Sequence, residues 1–426
     1  MSARAGLTVT DVALDDGLES LLGVDADVYA VFWWRGLPLG ARELTREQLA
    51  SRTTVASLVA ETIAPAVGAR LFGGDFFRPN LPRAARPEGA PALEHLLELR
   101  RPLAALSPVR AGARWPAPAD VSVVIATRRR PAELARALMS LEQLESAPRE
   151  IVVVDNGPDD ATRETVERHR GVVYVAEPRQ GLSAARNAGV RAAEGSVLVF
   201  TDDDALVDPA WLDRLCAGFD KPDVMAVTGL VLPASLESRA ELLFEQAFGG
   251  LGRGFQDRLF DRAFLAQTKR RGTPVWNLGA GVNLAVRREA FDRVGLFDER
   301  LGAGASGCSE DSELLYRLLA HGYECRYRAD AVVRHHHRPD MPALARQMHD
   351  YARGHISALF VQFARHRHPG NLRRAFTTVP LYLLYRLVLG SDVGAGPPRE
   401  TLRAEIRGYL SGLRLLPWAF RTPPRP

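Results

Sequence analysis

From residue 121 onward the chain alternates short, continuous runs of β-branched residues with segments whose apolar residues recur every three or four positions. Residues 121–126 and 151–155 are apolar at nearly every position, as strands buried on both faces of a parallel sheet are. Between them, Leu134, Leu138 and Leu141 mark one face of a helix. Residues 172–175 and 196–200 continue the series, with a helix over 182–193 between them. This alternation predicts an α/β fold built on a doubly wound parallel sheet, with ligands gathering at the carboxyl ends of its strands.

Upstream, residues 27–34 read as a strand, 35–38 as a turn, and 46–71 as a helix with apolar Leu49, Leu58, Val59, Ile63, Val67 and Leu71. Residues 76–118 are rich in Pro, Arg and Ala, with at most one short helix near 92–99. After residue 345 the periodicity becomes helical, over 346–363 and 376–389. The expected division is a small N-terminal α/β domain (1–75), a linker (76–118), a sheet domain (119–345) and a helical C-terminal region (346–426).

Composition narrows the class. Apolar residues at 46% with 25% charged residues exclude wholesale disorder. The isoelectric point of 9.1 hints at nucleic acid, but the net charge is only +4 and the basic residues are scattered arginines. Cys216, Cys308 and Cys325 have no metal-ligand spacing and fit a reducing compartment. Residues 1–16 lack an apolar stretch of signal-peptide length, and no run is expected to approach the ~20 apolar residues of a membrane span. These features predict a cytoplasmic protein.

The chemistry concentrates at the expected strand ends. Asp202, Asp203 and Asp204 follow an apolar run and precede a helix start, so they either cap that helix or compensate one another's charge through a cation. A divalent metal carrying a phosphate is such a cation, because Mg²⁺ and Mn²⁺ prefer carboxylate oxygens. Asp155 ends the second strand, where it suits a base or ribose but also a turn. Arg186 lies one turn into a helix of small residues, placed to meet an anion. Glu310 and Asp311 open an amphipathic helix, a position the helix dipole favours for acids in any case. His335 and His337 share one side of a strand end, which suits metal ligation or a solvated terminus.

In chain order these segments read VSVVIATRRRPAELARALMSL, IVVVDNGPDDATRE, EPRQGLSAARNAG, VLVFTDDDALVDPAWL, GAGVNLAVRREAF, GLFDERLGAG, SEDSELLYRLLAHGY and VVRHHHRPD. The ordered set resembles bacterial family 2 glycosyltransferases of the GT-A fold over about residues 120–365. The resemblance implies an inverting transferase that uses a nucleotide-diphosphate sugar and a divalent metal, Mn²⁺ or Mg²⁺. It assigns Thr127, Arg128 and Asp155 to the nucleoside, and Asp202 and Asp204, with Asp203 between them, to the ribose, diphosphate and metal. His335, with His337 beside it, completes the metal site. Asp311 is the implied base for the acceptor, with Glu310 as its alternate. Two departures stand out: Cys308-Ser309 where the family usually has Gly, and Arg334 where it often has Trp.

A sugar nucleotidyltransferase would need a glycine-rich loop after the first strand of the sheet domain, which ATRRRP lacks, and a noncatalytic nucleotide-sugar scaffold has no need of Asp311. The acceptor is a saccharide, a lipid-linked or a small molecule. Trp276, Asn277 and residues 244–255 are expected on its side. Leu381, Tyr382, Leu384, Tyr385, Leu387 and Val388, with Arg373, Arg374 and Arg386, form a basic amphipathic surface suited to peripheral contact with the inner face of a membrane.

Overall fold

The computed structural model describes residues 6–72, 102–106, 116–389 and 399–417. Most of the expected linker, including the short helix near 92–99, lies outside the described residues.

The N-terminal unit is a three-stranded sheet of β1 (Thr8–Ala13), β2 (Val28–Trp34) and β3 (Leu37–Leu44), with β1 parallel and β3 antiparallel to β2. The helix expected over 46–71 is two pieces, Arg46–Leu49, whose start is fixed by a Thr45/Gln48 capping box, and Arg52–Phe72. Contrary to the expectation from sequence, Arg52–Phe72 is long and apolar enough to cross a membrane by length and composition. Here Val55, Val59, Ile63, Ala66 and Val67 on one of its faces pack with Val28, Ala30, Phe32 and Leu39 of the small sheet.

A nine-stranded sheet forms the body of the molecule. Its members are β4 (Val121–Thr127), β5 (Glu150–Asp155), β6 (Val172–Ala176), β7 (Val197–Asp202), β8 (Ala205–Val207), β9 (Val224–Pro233), β10 (Arg258–Phe260), β11 (Leu284–Arg287) and β12 (Glu324–His335). The order is β10-β12-β9-β11-β7-β4-β5-β6, with β8 paired to β12. Strands β4 to β7 are mutually parallel as predicted. Beyond β7 the sheet is mixed, because β11 runs antiparallel to both neighbours and β10 and β8 run antiparallel to β12. The alternating strand and helix periodicity ends at β7, so the sequence pattern carried no information about strand direction past that point.

Successive residues of the central strands face opposite layers. Val124, Val152, Val154, Leu198 and Phe200 pack under the helices 182–192 and 310–320, while Val123, Ile125, Val153 and Val199 pack under the helices 131–141 and 211–216. Leu314, Leu315, Leu318 and Leu319 bury the inner face of Glu310–Ala320 against the first layer, which brings its acidic first turn to the sheet's carboxyl edge.

The C-terminal region starts with Met341–His366, five residues earlier than the periodicity suggested, because Asp340 caps it by accepting from the Ala343 N–H at 2.7 Å. It continues through Pro369–Arg373, a π-helical turn over Arg374–Thr378, Val379–Leu389 and Leu402–Leu413.

Candidate active site

A cleft of about 1210 Å³ runs along the carboxyl ends of β4 and β7 and under the C-terminal helices. Its acidic end is built by register. Strand β8 leaves the Asp202–Asp204 turn and pairs with β12 so that Ala205 lies opposite His335, and the His336 N–H donates to the Asp204 carbonyl at 3.0 Å. Residues 131 apart in sequence are thereby placed side by side: His335 Nε2 lies 3.2 Å from Asp204 Oδ1. One ligand atom each from Asp202, Asp204 and His335 falls within a 4.8 Å group.

The second-layer contacts favour a cation there. His337 Nε2 is 3.1 Å from Glu245 Oε2, and His337 Nδ1 is 3.3 Å from His335 Nδ1. A carboxylate accepts, so His337 donates through Nε2 and presents an unprotonated Nδ1, to which His335 donates from its own Nδ1. That leaves the lone pair of His335 Nε2 aimed at a carboxylate oxygen, an arrangement that calls for a proton or a metal between them. His337 therefore stands behind the ligand group and orients His335. Glu245 in turn accepts from Tyr29 of β2 at 3.5 Å, and burial first, with Glu245 adding to it, pushes that phenol well above its usual range.

The three aspartates do not need a metal for charge balance alone. Arg130 donates to Asp203 Oδ1 at 2.6 Å and Asp204 Oδ2 at 3.0 Å, Arg338 to Asp204 Oδ2 at 3.4 Å, and Arg186 to Asp202 Oδ1 at 3.1 Å. Burial works to raise Asp204, but Arg130, Arg338 and His335 when it carries a proton on Nε2 outweigh it and hold the carboxyl far below the ordinary range. Asp203 goes the other way, pushed up to about 7 chiefly by burial and by Asp204, against Arg130 and the Thr127 hydroxyl that donates to it at 2.8 Å. Arg130 and Arg338 were not singled out in the sequence. The signal for them was their adjacency to the motifs, at the third arginine of ATRRRP and the residue after the histidines.

On the nucleotide side, Thr127, Arg128 and Asn156 line the cleft. Asp155 lies beneath them, fully buried, with Oδ2 accepting from Tyr174 at 3.0 Å and the Asp159 N–H at 3.2 Å. Its Oδ1 has no hydrogen-bond partner among the described residues.

Arg186, expected to face a ligand anion, is buried between protein carboxylates. Besides Asp202 it donates to Glu310 Oε1 at 2.7 Å, so it forms a strut from the strand-end acids to the helix Glu310–Ala320. Burial pushes the Glu310 carboxyl up, Arg186 opposes this, and Asp311 reinforces it. Asp311 is half-buried and faces the cleft, with Oδ1 accepting from the Ser312 N–H and Oδ2 from the Gly281 N–H, both at 2.6 Å. Ser309, preceding the pair, has φ 74°, the left-handed region in which a side chain costs roughly 1–2 kcal/mol. This explains the glycine usual in that neighbourhood. Arg334, the second departure, reaches the N-terminal unit and binds Asp11 at 2.5 and 2.6 Å.

A mixed sheet with an acidic turn after β7, and a second carboxylate pair across the cleft, is the arrangement expected from the resemblance to the GT-A fold. Residues 122–295 match the family described as Glycosyl transferase family 2. It is 28% identical over 230 residues to the pre-mycofactocin glycosyltransferase of Mycobacterium tuberculosis, covering 53% of this chain and 44% of that protein. It is 33% identical over 221 residues to the validoxylamine A glucosyltransferase of Streptomyces hygroscopicus subsp. limoneus, covering 47% and 48%. The chain thus spans about half the length of these curated relatives. The solved mannosyltransferase PcManGT from Pyrobaculum calidifontis, in complex with GDP-Man and Mn²⁺, aligns over 70% of this chain and 72% of its own with 20% identity and a TM-score of 0.41.

Proposed function

We propose that the chain is an inverting glycosyltransferase that moves a sugar from a nucleotide-diphosphate sugar to an acceptor hydroxyl. One observation carries this reading: Asp202, Asp204 and His335 share a cleft with Asp311, and Arg186 ties Asp202 to the neighbouring Glu310 at a fixed separation. In-line displacement asks for such an arrangement, with one acidic set at the leaving group and another at the nucleophile.

Asp202, Asp204 and His335 would hold Mn²⁺ or Mg²⁺, whose Lewis acidity offsets the charge gained by the departing diphosphate. Thr127 and Arg128 serve the nucleoside, with Asp155 buried beneath them, and Asp203 fixes the turn between the two ligand carboxylates. Asp311 accepts the acceptor's hydroxyl proton while that oxygen bonds to the anomeric carbon and the sugar–diphosphate bond breaks. Its two backbone donors hold it in place without neutralising it. Glu310 is the weaker base candidate, because it is buried and already committed to Arg186. The site of action proposed with this reading is the cytoplasm, with the helix Val379–Leu389 touching the inner face of a membrane.

The test is Asp311→Asn, assayed with a panel of nucleotide sugars and Mn²⁺. The variant keeps size and one of the two accepting oxygens but takes no proton, so transfer is expected to fall roughly 10²- to 10⁴-fold with nucleotide binding near wild type. Retention of most of the transfer rate would remove Asp311 from the base role.

A further inference from the structure

Among the described residues, most buried arginines are matched by a protein carboxylate. Arg317 pairs with Glu313, Arg328 with Asp330, Arg300 with Asp298 and Arg386 with Glu405. Arg374 differs. It is half-buried in the wall of the cleft, and its guanidinium stacks on Trp276 at 4.1 Å from the ring centroid. Its Nε donates to His355 Nε2 at 3.1 Å. Its two terminal nitrogens have no partner among the described residues, and no carboxylate pairs with it. Burial alone lowers it, to about 10, and burial together with Arg374 lowers His355 to about 3, so His355 is a neutral acceptor at pH 7.

The same tryptophan organises a second cation. Arg253 donates from Nε to the Trp276 carbonyl at 2.5 Å and from Nη1 to the Gly250 and Gly252 carbonyls, again without a carboxylate partner among the described residues. Burial lowers it as well, and Asp311 is among the groups that oppose the shift. Trp276 belongs to the segment that continues to Gly281, whose N–H holds Asp311, so this positive pocket lies on the acceptor side. A planar guanidinium fixed through its face and its Nε, with its fork open to a cleft, is the arrangement that grips an oxyanion through two parallel N–H donors. One turn further along the helix, Val379, Tyr382 and Leu383 continue the wall with apolar surface.

We propose that Arg374, oriented by Trp276 and His355 and reinforced by the field of Arg253, binds a phosphate group on the acceptor, and that this phosphate is joined to an apolar chain lying along Val379, Tyr382 and Leu383. The assignment to an acceptor rests on the transfer reading above. The phosphate subsite itself does not.

The full chain is titrated calorimetrically with octyl phosphate, inorganic phosphate and the neutral octyl glucoside. Wild type is expected to bind octyl phosphate more tightly than either of the other two. Arg374→Gln should weaken octyl phosphate about 10-fold or more and leave octyl glucoside unchanged. Arg374→Lys, which keeps the charge but not the fork, should fall between, and it serves as the test if the Gln variant does not fold. Equal affinity of wild type and both variants for octyl phosphate overturns the subsite. Inorganic phosphate binding as tightly as octyl phosphate overturns the apolar chain and leaves a site for free phosphate. GDP and UDP with Mn²⁺ are titrated into the same samples and should bind wild type and Arg374→Gln alike. Absence of nucleotide binding to wild type would defeat the transfer reading while the phosphate titrations still report on the subsite.

Discussion

Single side chains decide whether the acidic end of the cleft can hold a metal, and the decisive one is two contacts away from it. Glu245 fixes the tautomer of His337, His337 fixes that of His335, and only then does His335 offer a lone pair beside Asp204. Glu245→Gln can instead donate to His337, which reverses both tautomers and places a proton on His335 Nε2. Loss of such a supporting carboxylate typically costs 10- to 100-fold in metal affinity. We expect Mn²⁺ binding, followed by electron paramagnetic resonance with GDP present, to weaken about 10-fold or more in Glu245→Gln while Glu245→Asp loses less. Unchanged Mn²⁺ affinity would show that the histidine relay does not orient the ligand. The grouping of Asp202, Asp204 and His335 was legible in the sequence, because all three sit in recognisable strand-end motifs. The relay was not, because Glu245 lies in an ordinary amphipathic helix and meets His337 only through the tertiary fold. Arg186 illustrates the converse: a helix-turn arginine beside small residues reads as an anion binder, yet here the anions are Asp202 and Glu310.

Among the elements, the helix Val379–Leu389 departs furthest from its sequence pattern. Its apolar residues Leu381, Leu384, Tyr385 and Val388 are exposed, as a membrane-contacting face requires. Two of the three arginines expected to flank that face point inward, however. Arg386 is 1% exposed and bound to Glu405, and Arg374 stacks on Trp276. Helical periodicity places a residue on a face but does not reveal that a later helix, Leu402–Leu413, supplies a carboxylate to capture it. With only Arg373 left outside, attraction to anionic lipid contributes little, since each basic residue near such a surface is worth about 1 kcal/mol. The protein is therefore expected to float with phosphatidylcholine liposomes nearly as well as with liposomes containing phosphatidylglycerol. Replacing Leu384 and Tyr385 by Ser should abolish flotation from both. Protein that stays at the bottom of the gradient with either composition defeats the membrane reading.

At the scale of the molecule, the three parts meet around the cleft. The N-terminal unit docks through Arg334–Asp11, Tyr29–Glu245 and a β-bridge between Leu7 and Leu236, so a small sheet reaches the Glu245–His337–His335 chain of contacts. The C-terminal region is fastened to the other side, where Arg365 binds Asp298 at 2.9 Å and the end of Met341–His366 packs on the helix that begins with Glu310 and Asp311. That junction is built from histidines. His366 packs edge-on against His321 and stacks on His368, each at 5.9 Å, and its buried Nε2 has no hydrogen-bond partner among the described residues. Burial first, then His368, His321, Arg365 and Arg317, lower His366 to about 4 from an ordinary value of 6.5. An unfolded chain therefore takes up this proton near pH 6.5, whereas the folded protein resists it until about pH 4. Its contribution to stability is complete above pH 6.5 and is lost as the pH falls from there towards 4. The melting temperature of wild type is expected to drop across this window, with the C-terminal helices the first to lose protection from hydrogen exchange. His366→Phe keeps a ring at the junction and removes the titrating group, so its melting temperature should change less between pH 7 and pH 5 than that of wild type. A variant whose acid dependence matches wild type would place the acid-sensitive contact elsewhere, with His355, lowered to about 3 against Arg374, as the next residue to replace.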